Sequence, residues 1–272
     1  MSAAKVSAKS RGQATPKISY ASLQRWNKWL AVLHAVQGLV ILLLSVNRAF
    51  PVTTSYLGVD SLQTQSQGHV VLAAGTQQLF DVNLALLVAT FLFIGAIAHG
   101  LMATKLRASY EKDLKKGINK IRWVEHAFSA GTMVVTIALL LGMQDISALL
   151  MLFGLTALAS FFWLVVETYE QVAKQVNRLG FVIGAVARVL PWTILVIYAV
   201  SGSVYGSVPG YVYGILASLF VIFGCVAANA YLQYRKIGNW TNYLYGERVF
   251  MILSLVAKTV LAWQIFAGSL RP

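Results

Sequence analysis

One lysine lies deep inside an apolar stretch, where a charged amine is costly. Lys258 follows Glu247 by 11 residues and precedes Arg271 by 13, so a helix would place it about 16–20 Å from either end. A lysine stem extends only about 6 Å, which is too short to bring the amine to water. The amine must therefore be paired, deprotonated or chemically converted. A desolvated lysine attacks carbonyl carbon, so this position favours a Schiff base. The alternative is a lysine that lines a water-filled transport cavity.

Glu125 is the carboxylate best placed to partner this lysine. The remaining acidic residues fall in predicted loops or at the ends of apolar runs. Ser129 and Thr132 follow Glu125 by four and seven residues, so all three would share one face of a helix directed into the protein. To bring Glu125 to the depth of Lys258, this helix must begin near Gly117, which also carries Arg122 inside.

Two histidines also lie within apolar runs. His34, with Gln37 three residues later, and His99 belong to different runs. A single histidine inside a membrane is often a hydrogen-bonded packing residue. Two of them, together with a buried lysine and a buried glutamate, indicate a proton-handling cluster. His126 is turned about 100° from Glu125 on the same helix, and Arg188 receives no role.

Aromatic residues and one proline occur in the runs predicted to surround Lys258. Membrane interiors are rich in such residues, so each one alone is more often a packing residue than part of a binding pocket. The candidates for a pocket are Trp163, Pro191, Phe220, Phe223 and Trp263.

The elements that must position these residues follow from composition. Of the 272 residues, 58% are hydrophobic and 11% are charged, against about 25% charged residues in soluble proteins. This composition excludes soluble enzymes, secreted disulfide scaffolds and disordered chains, and leaves a protein that crosses the membrane several times. The single cysteine, Cys225, excludes an internal disulfide, and no metal site is predicted.

A helix crosses the hydrocarbon core with about 20 apolar residues, and the chain contains seven such runs. The predicted spans are Trp26–Val46, Leu79–Thr104, Trp123–Met143, Ile146–Val166, Leu179–Val200, Gly210–Leu232 and Val249–Leu270. The predicted fold is therefore all-α, a bundle of seven transmembrane helices spanning residues 22–272. Residues 1–21 are expected to be a disordered basic tail. In the first long loop, the β-prone runs Val52–Tyr56 and His69–Leu72 predict a short β-hairpin.

Positive charges predict the orientation of the bundle. Eighteen of the 22 lysines and arginines lie on the side of the N-terminus, and only Arg48 and Arg271 lie on the opposite side. Because cytoplasmic loops carry the excess of lysine and arginine, we expect a cytoplasmic N-terminus and an extracellular C-terminus in the cell membrane. The net charge of +13 is thus explained by topology, and no nucleic-acid partner is expected.

Seven spans, with a lysine in the last and a carboxylate in the third, resemble a retinal protein. The local sequences resemble heliorhodopsins, which have an inverted membrane topology among the microbial rhodopsins, and the resemblance covers Ser22 to Leu270. The segments that carry it are Arg122–Glu125, Val208–Gly214, Asn239–Arg248, Ser254–Lys258, Leu261–Gln264 and the pair His34 and Gln37.

The resemblance implies a role for each candidate residue. Lys258 would bind all-trans retinal as a protonated Schiff base, Glu125 would be its counterion, and Ser254 and Ser129 would hydrogen-bond nearby. His34, His99 and Gln37 would form the proton-accepting polar cluster. Arg122, Glu247, Tyr243 and Asn119 would form a hydrogen-bonded network on the cytoplasmic side. The five pocket candidates would enclose the retinal, and the protein would be a homodimer with contacts from the first outer loop.

The function implied by this resemblance is light sensing with a signalling or regulatory output, through an unidentified partner, without ion pumping. Outward proton pumps of the rhodopsin superfamily have a second carboxylate 11 residues beyond the counterion, and here that position is Thr136. A light-gated ion or proton channel is the main alternative. A light-independent carrier that holds an anion at Lys258 is another. No catalytic domain is predicted, so an enzyme is not expected. The sequence departs from the family pattern at His126, Gly95 and Arg188.

Overall fold

The apolar runs of the sequence fold into long helices that lie side by side. The computed structural model describes residues 18–173 and 178–272. Its elements are α1 (Tyr20–Leu44), β1 (Ala49–Val59), α2 (Ser61–Gln67), β2 (Leu72–Asn83), α3 (Leu84–Ala103), α4 (Arg107–Lys115), α5 (Lys120–Leu140), α6 (Ile146–Ala173), α7 (Arg178–Tyr205), α8 (Gly210–Arg235), a 3-10 turn (Gly238–Thr241) and α9 (Tyr243–Ile265), which continues as a π-helical turn (Phe266–Leu270).

Seven of these helices, α1, α3, α5, α6, α7, α8 and α9, are long and apolar enough to cross a membrane. They confirm the predicted seven-helix bundle, and the chain is a multi-pass membrane protein. We call the end of the bundle that holds Tyr20 and α4 the basic end, and the end that holds β1 and β2 the sheet end. Helix α5 lies innermost, packed between α3 and α6.

The N-terminal tail is shorter than expected. Helix α1 begins at Tyr20, because the side chain of Ser19 accepts a hydrogen bond from the backbone N–H of Ser22 and so caps the first turn. Tyr20 and Ala21 therefore belong to the bundle. The rest of the predicted tail, residues 1–17, lies outside the described part of the chain.

The second predicted span begins too early. Residues 79–83 belong to β2, which pairs antiparallel with β1 from Ala49↔Asn83 to Val59↔Leu72. Helix α3 starts only at Leu84, where the side chain of Asn83 accepts from the N–H of Leu86. The predicted hairpin is confirmed, but its strands are longer than expected and the short helix α2 connects them.

The sheet is fastened to the bundle through the turn between α5 and α6. The Asp145 carboxylate accepts hydrogen bonds from the N–H and the hydroxyl of Ser55 on β1, at 3.1 and 3.0 Å. The backbone N–H of Thr53 donates to the carbonyl of Gln144 at 2.9 Å. Below this sheet the main apolar core fills the sheet-end half of the bundle, so the polar site lies in the other half.

Helix α5 begins ahead of Trp123, as the depth of Glu125 required. It starts at Lys120, and the side chain of Asn119 caps it by accepting from the N–H of Arg122. Arg122 is therefore inside the helix and buried, with 7% of its surface exposed.

Candidate functional site

Lys258 is one of the most deeply buried side chains of the protein, with 2% of its surface exposed. The Cα–Cβ bonds of a helix tilt toward its N-terminus, so the lysine stem runs back along α9 by one turn. There Nζ donates a hydrogen bond to Ser254 Oγ at 2.6 Å. Nζ also lies 2.8 Å from Oε1 of Glu125 on α5, whose side chain is buried too, with 7% of its surface exposed. The amine and the carboxylate thus form an ion pair inside the bundle.

A cavity opens beside this ion pair, between α5, α8 and α9. Its free volume is about 30 Å³, so it is narrow. Its walls are mostly aromatic and aliphatic, and polar groups are concentrated at the ion pair. The lining residues are Arg122, Trp123, Glu125, His126, Ser129, Met133, Phe223, Val226, Phe250, Leu253, Ser254, Ala257 and Lys258.

His34 and His99 lie on the other side of the lysine stem. Their rings stack with centroids 5.9 Å apart, and His99 Nδ1 lies 2.7 Å from Asn27 Oδ1. Both ring nitrogens of His34 are buried without a hydrogen-bond partner in the described part of the chain, as is Gln37 Oε1. Gly95 separates His34 from the lysine: a Cβ there would lie 3.1 Å from Lys258 Cε and 3.3 Å from His34 Cδ2. The absence of a side chain at Gly95 allows this close approach.

A second polar group lies between the ion pair and the basic end. The Arg122 guanidinium bridges two carboxylates, those of Glu247 on α9 and Glu167 on α6. Asn119 Nδ2 donates to Glu247 at 2.6 Å, and Tyr243 Oη donates to Glu167 at 3.1 Å. We call these five residues the Arg122 network.

One member of this network, Glu167, was not predicted from the sequence. The predicted fourth span ended at Val166, but α6 continues to Ala173 and carries Glu167 into the bundle. The spacing of residues on this helix does indicate that Glu167 faces the bundle. Thr156, Ser160 and Trp163 recur at helical spacing and are buried, and Glu167 follows them on the same face of α6.

His126 and Arg188 meet on a third side of the site. Arg188 Nη1 lies 3.2 Å from His126 Nε2, and both side chains are inside the bundle. His126 also lines the cavity at Lys258. This contact could not be predicted from local sequence, because it joins α5 to α7.

Comparison with known proteins decides the family. The heliorhodopsin family model matches residues 23–270, which is nearly the whole chain. The chain belongs to the heliorhodopsin family. No curated protein sequence matches it.

A solved rhodopsin has a similar fold. Cyanorhodopsin from the cyanobacterium Tolypothrix sp. NIES-4075 superimposes with a TM-score of 0.61, covering 92% of this chain and 94% of that chain. The two sequences are 10% identical, so the likeness concerns the fold alone. The bundle is thus a rhodopsin fold.

Membership in the heliorhodopsin family implies a retinal chromophore, and the chemistry of the residues around the cavity at Lys258 suits one. A buried primary amine, suited to an aldehyde, stands at its wall with a carboxylate beside it. The remaining walls are apolar and aromatic, as a polyene requires. Ser129 Oγ is buried at this wall without a hydrogen-bond partner in the described ranges.

Only one of the five pocket candidates, Phe223, lines this cavity. Trp163 lies behind the wall and stacks on Trp123 at 6.1 Å, and Pro191 lines a smaller cavity next to Arg188. Phe220 and Trp263 are 58% and 39% exposed, so they face outward from the bundle. The aromatic wall is formed instead by Trp123, His126 and Phe250, which the sequence did not single out as pocket residues.

Proposed function

We propose that this protein is a light-sensing photoreceptor that binds all-trans retinal covalently at Lys258 and signals without pumping ions. One observation carries the proposal: Lys258 Nζ lies 2.8 Å from Glu125 Oε1, beside a cavity with mostly apolar walls, in a chain of the heliorhodopsin family. When bound, retinal supplies absorption of visible light and a light-driven rotation about a double bond.

The residues at the amine hold the linkage in its protonated form. The negative charge of Glu125 stabilises a proton at Nζ, because opposite charges interact strongly in a low-dielectric interior. Ser254 Oγ accepts a hydrogen bond from Nζ and thereby fixes the direction of the lysine stem. Ser129, whose hydroxyl has no partner among the described residues, is available to hydrogen-bond the same group.

His34 and His99, with Gln37, are the proposed acceptors of the proton when it leaves Nζ. Because Gly95 has no side chain, His34 packs close to the lysine stem. Its free ring nitrogens have no other partner in the described ranges, so a neutral imidazole there has a lone pair available.

The Arg122 network is proposed to block passage from the ion pair to the basic end. A small void of about 20 Å³ lies between Glu125 and Glu247, and Arg122 lines it. The Arg122 guanidinium lies between Glu125 and Glu247 and forms ion pairs with the carboxylates of Glu167 and Glu247. This arrangement opposes proton release toward the basic end.

The distribution of carboxylates supports sensing rather than pumping. All nine Asp and Glu residues lie within residues 18–173 and 178–272, and those inside helices that cross the membrane lie at Glu125 or toward the basic end. At Thr136 the hydroxyl donates to the carbonyl of Thr132 on its own helix, at 2.7 Å. These features offer no chain of carboxylates toward the sheet end.

The proposal extends to the orientation and the partners of the protein. We propose a cytoplasmic N-terminus, an extracellular C-terminus and no enzymatic activity of the chain itself, with the output passed to a signalling protein. We also propose a homodimer, supported by apolar side chains of the sheet region that stand exposed, including Tyr56, Leu57 and Val59. Chemical cross-linking in native membranes tests the dimer.

The first experiment measures absorption after retinal is added to the purified protein. The native chain should form a visible band that hydroxylamine bleaches under illumination, and Lys258→Ala should form none. Lys115→Ala is the matched control, because Lys115 is exposed on α4 and should leave the band unchanged. A band of full intensity in Lys258→Ala, or no band in the native chain, would contradict the proposal; the second result would favour a light-independent carrier.

The second experiment tests the counterion and the output. Glu125→Gln removes the negative charge beside Nζ, so its absorption should shift to longer wavelength, whereas Glu170→Gln, at the basic end of α6, should not shift it. In cells that express the native protein, light should produce no pH change that an uncoupler abolishes. Photocurrents that reverse with the imposed gradient would establish the channel alternative instead.

A further inference from the structure

Exposed basic side chains gather at the basic end of the bundle. Of the 16 residues from Lys105 to Lys120, six are lysine or arginine and two are acidic. The first turns of α1 add two more basic residues. We call six exposed side chains of α1, of α4 and of the residues next to α4 the basic face: Arg25, Lys28, Lys105, Lys112, Lys115 and Lys116.

Helix α4 packs one side against the bundle and presents the other side to its surroundings. Tyr110 and Leu114 are buried in an apolar cluster with Leu23 of α1. Lys115 Nζ lies 5.8 Å from the centroid of the Tyr20 ring, at the start of α1. Helix α4 therefore lies beside the first turns of α1, and the basic residues of the two helices belong to one surface.

The charge of the basic face is not compensated within the described part of the chain. None of the four ion pairs found there includes a residue of this face. Of the two acidic residues on α4, Glu111 already pairs with Arg107 at 2.8 Å, and Asp113 is only partly exposed. The face thus keeps an excess of positive charge that an anionic partner can approach.

A tryptophan on α1 indicates the depth of this face in the membrane. Trp29 is 74% exposed, and outward-facing tryptophans are enriched at the membrane–water interface. Arg25 precedes Trp29 by four residues, so it lies on the same side of α1, about 6 Å nearer the end of the helix. Lys28 is next to Trp29 in the chain. Basic groups one turn outside the tryptophan lie at the depth of lipid phosphates, which favours a lipid over a soluble acidic protein.

We propose that the basic face binds the phosphate groups of anionic phospholipids and selects these lipids over zwitterionic ones. An anionic headgroup has a net negative charge, whereas a zwitterionic headgroup carries its own cation. A lysine or arginine close to the membrane surface favours anionic lipid by about fivefold. The proposal depends on the chain crossing the membrane, and it depends neither on retinal attachment nor on the proposed orientation.

Electron spin resonance of spin-labelled phospholipids tests this selectivity. The full chain is reconstituted in phosphatidylcholine bilayers with a trace of spin-labelled phosphatidylglycerol or phosphatidylcholine, and the immobilised fraction gives the ratio of their association constants. In about 0.1 M NaCl, the native protein should favour phosphatidylglycerol about two- to fivefold, because only some of the surrounding lipids touch the basic face. In about 1 M NaCl the ratio should fall toward one, because salt screens exposed charges.

Two pairs of substitutions locate the selectivity on the basic face. Lys112→Gln with Lys116→Gln, on α4 and at its end, should lower the ratio, and so should Arg25→Gln with Lys28→Gln on α1. Arg48→Gln with Arg271→Gln is the matched control. It removes two exposed positive charges from the sheet end and should leave the ratio unchanged.

Three results would overturn the proposal. Equal association of the two lipids with the native protein would leave the face to a soluble acidic partner. A preference that both basic-face variants retain in full would place the selectivity elsewhere. A preference of the native protein that is unchanged in about 1 M NaCl would exclude an electrostatic origin, and this measurement holds even if the variants fail to fold.

Discussion

At the scale of single residues, three lysine or arginine side chains are buried within residues 18–173 and 178–272, and each has a different set of acidic partners. Lys258 has one carboxylate, Arg122 has two, and Arg188 has none in the described ranges. Because the cost of burying a charge depends on its partners, these residues should respond differently to substitution. Lys258 is tested by the absorption experiment above, and Arg122 provides a test of stability.

Arg122→Gln should destabilise the folded protein strongly. It would leave Glu167 and Glu247 facing each other without a cation, and removing one partner of a buried ion pair costs about 3–5 kcal/mol. Arg107→Gln is the matched control, because Arg107 pairs with Glu111 at the surface of α4, at 2.8 Å, where a pair contributes about 0–1 kcal/mol. Unfolding in increasing fractions of SDS measures both. Equal losses in the two variants would show that the Arg122 network contributes no special stability.

Residue identity alone located part of this chemistry. The depth of Lys258 and the position of Glu125 could be read from the sequence, because a charged residue inside an apolar run is conspicuous. Glu167 was missed because it stands near the end of its run, where a charge is common. The contact between His126 and Arg188 was missed because nothing in the sequence relates residues on two different helices.

At the scale of elements, the turn between α5 and α6 connects the sheet to the bundle. The carboxylate of Asp145 makes hydrogen bonds to both elements. Its Oδ1 accepts from the N–H groups of Ser147 and Ala148 at the start of α6, and its Oδ2 accepts from the N–H of Ser55 on β1. The pKa of Asp145 lies below its ordinary value, because hydrogen bonds stabilise the ionised carboxylate. The largest contribution comes from the backbone N–H of Ala148, and the next from the hydroxyl of Ser55.

This lowered pKa gives the docking of the sheet a pH dependence. A carboxylate with a lower pKa in the folded state stabilises that state above its ordinary pKa, and the contribution is lost as the pH falls through the folded value. Protection of the Ser55 amide against hydrogen exchange should therefore be high at neutral pH and fall below about pH 4. Mass spectrometry of exchange in peptides of β1 measures it.

Asp145→Asn should remove this acid-dependent change and lower the protection already at neutral pH. Asp60→Asn is the control, because the Asp60 carboxylate also caps a helix, α2, through Gln63 N at 2.9 Å, at the connection between the strands. Acid sensitivity that persists in Asp145→Asn would assign the effect to another group.

The helices and strands were predicted from the sequence with different accuracy. Each of spans three to seven was placed on an observed helix, because a long apolar run can do little else in a membrane. Their bounds were less accurate: the fourth span ended seven residues too early and the seventh began six residues too late. The second span was placed five residues too early, because apolar residues such as Leu79 and Phe80 serve a strand equally well. Pairing with β1, which no local pattern records, decides that they are extended.

At the scale of the whole molecule, the two ends of the bundle differ in charge. Seven of the 22 lysines and arginines lie from Lys105 to Arg122, in and around α4, whereas Arg48 and Arg271 lie at the sheet end. Such an asymmetry orients a membrane protein during insertion. The proposed orientation therefore places α4 in the cytoplasm and the sheet outside.

Cysteine labelling in intact cells should verify this orientation. In a Cys225→Ala background, Gln65→Cys on α2 should react with a membrane-impermeant maleimide, because α2 lies at the sheet end and Gln65 is exposed. Lys116→Cys, exposed just after α4, should react only after the cells are permeabilised. The opposite pattern would invert the proposed topology.

The sequence by itself determined that the chain crosses the membrane seven times, that a lysine in the last helix and a carboxylate in the third could meet, and which family the chain resembles. These properties depend on local hydropathy and on residues at fixed positions. Only the tertiary structure decided which side chains face the cavity, which carboxylates hold Arg122, and that Arg188 has no acidic partner in the described ranges. The reason is that lipid is as apolar as the core of the bundle. Helices surrounded by lipid are apolar on every side, so their rotation about their own axes is set by packing against their neighbours and leaves little trace in the sequence.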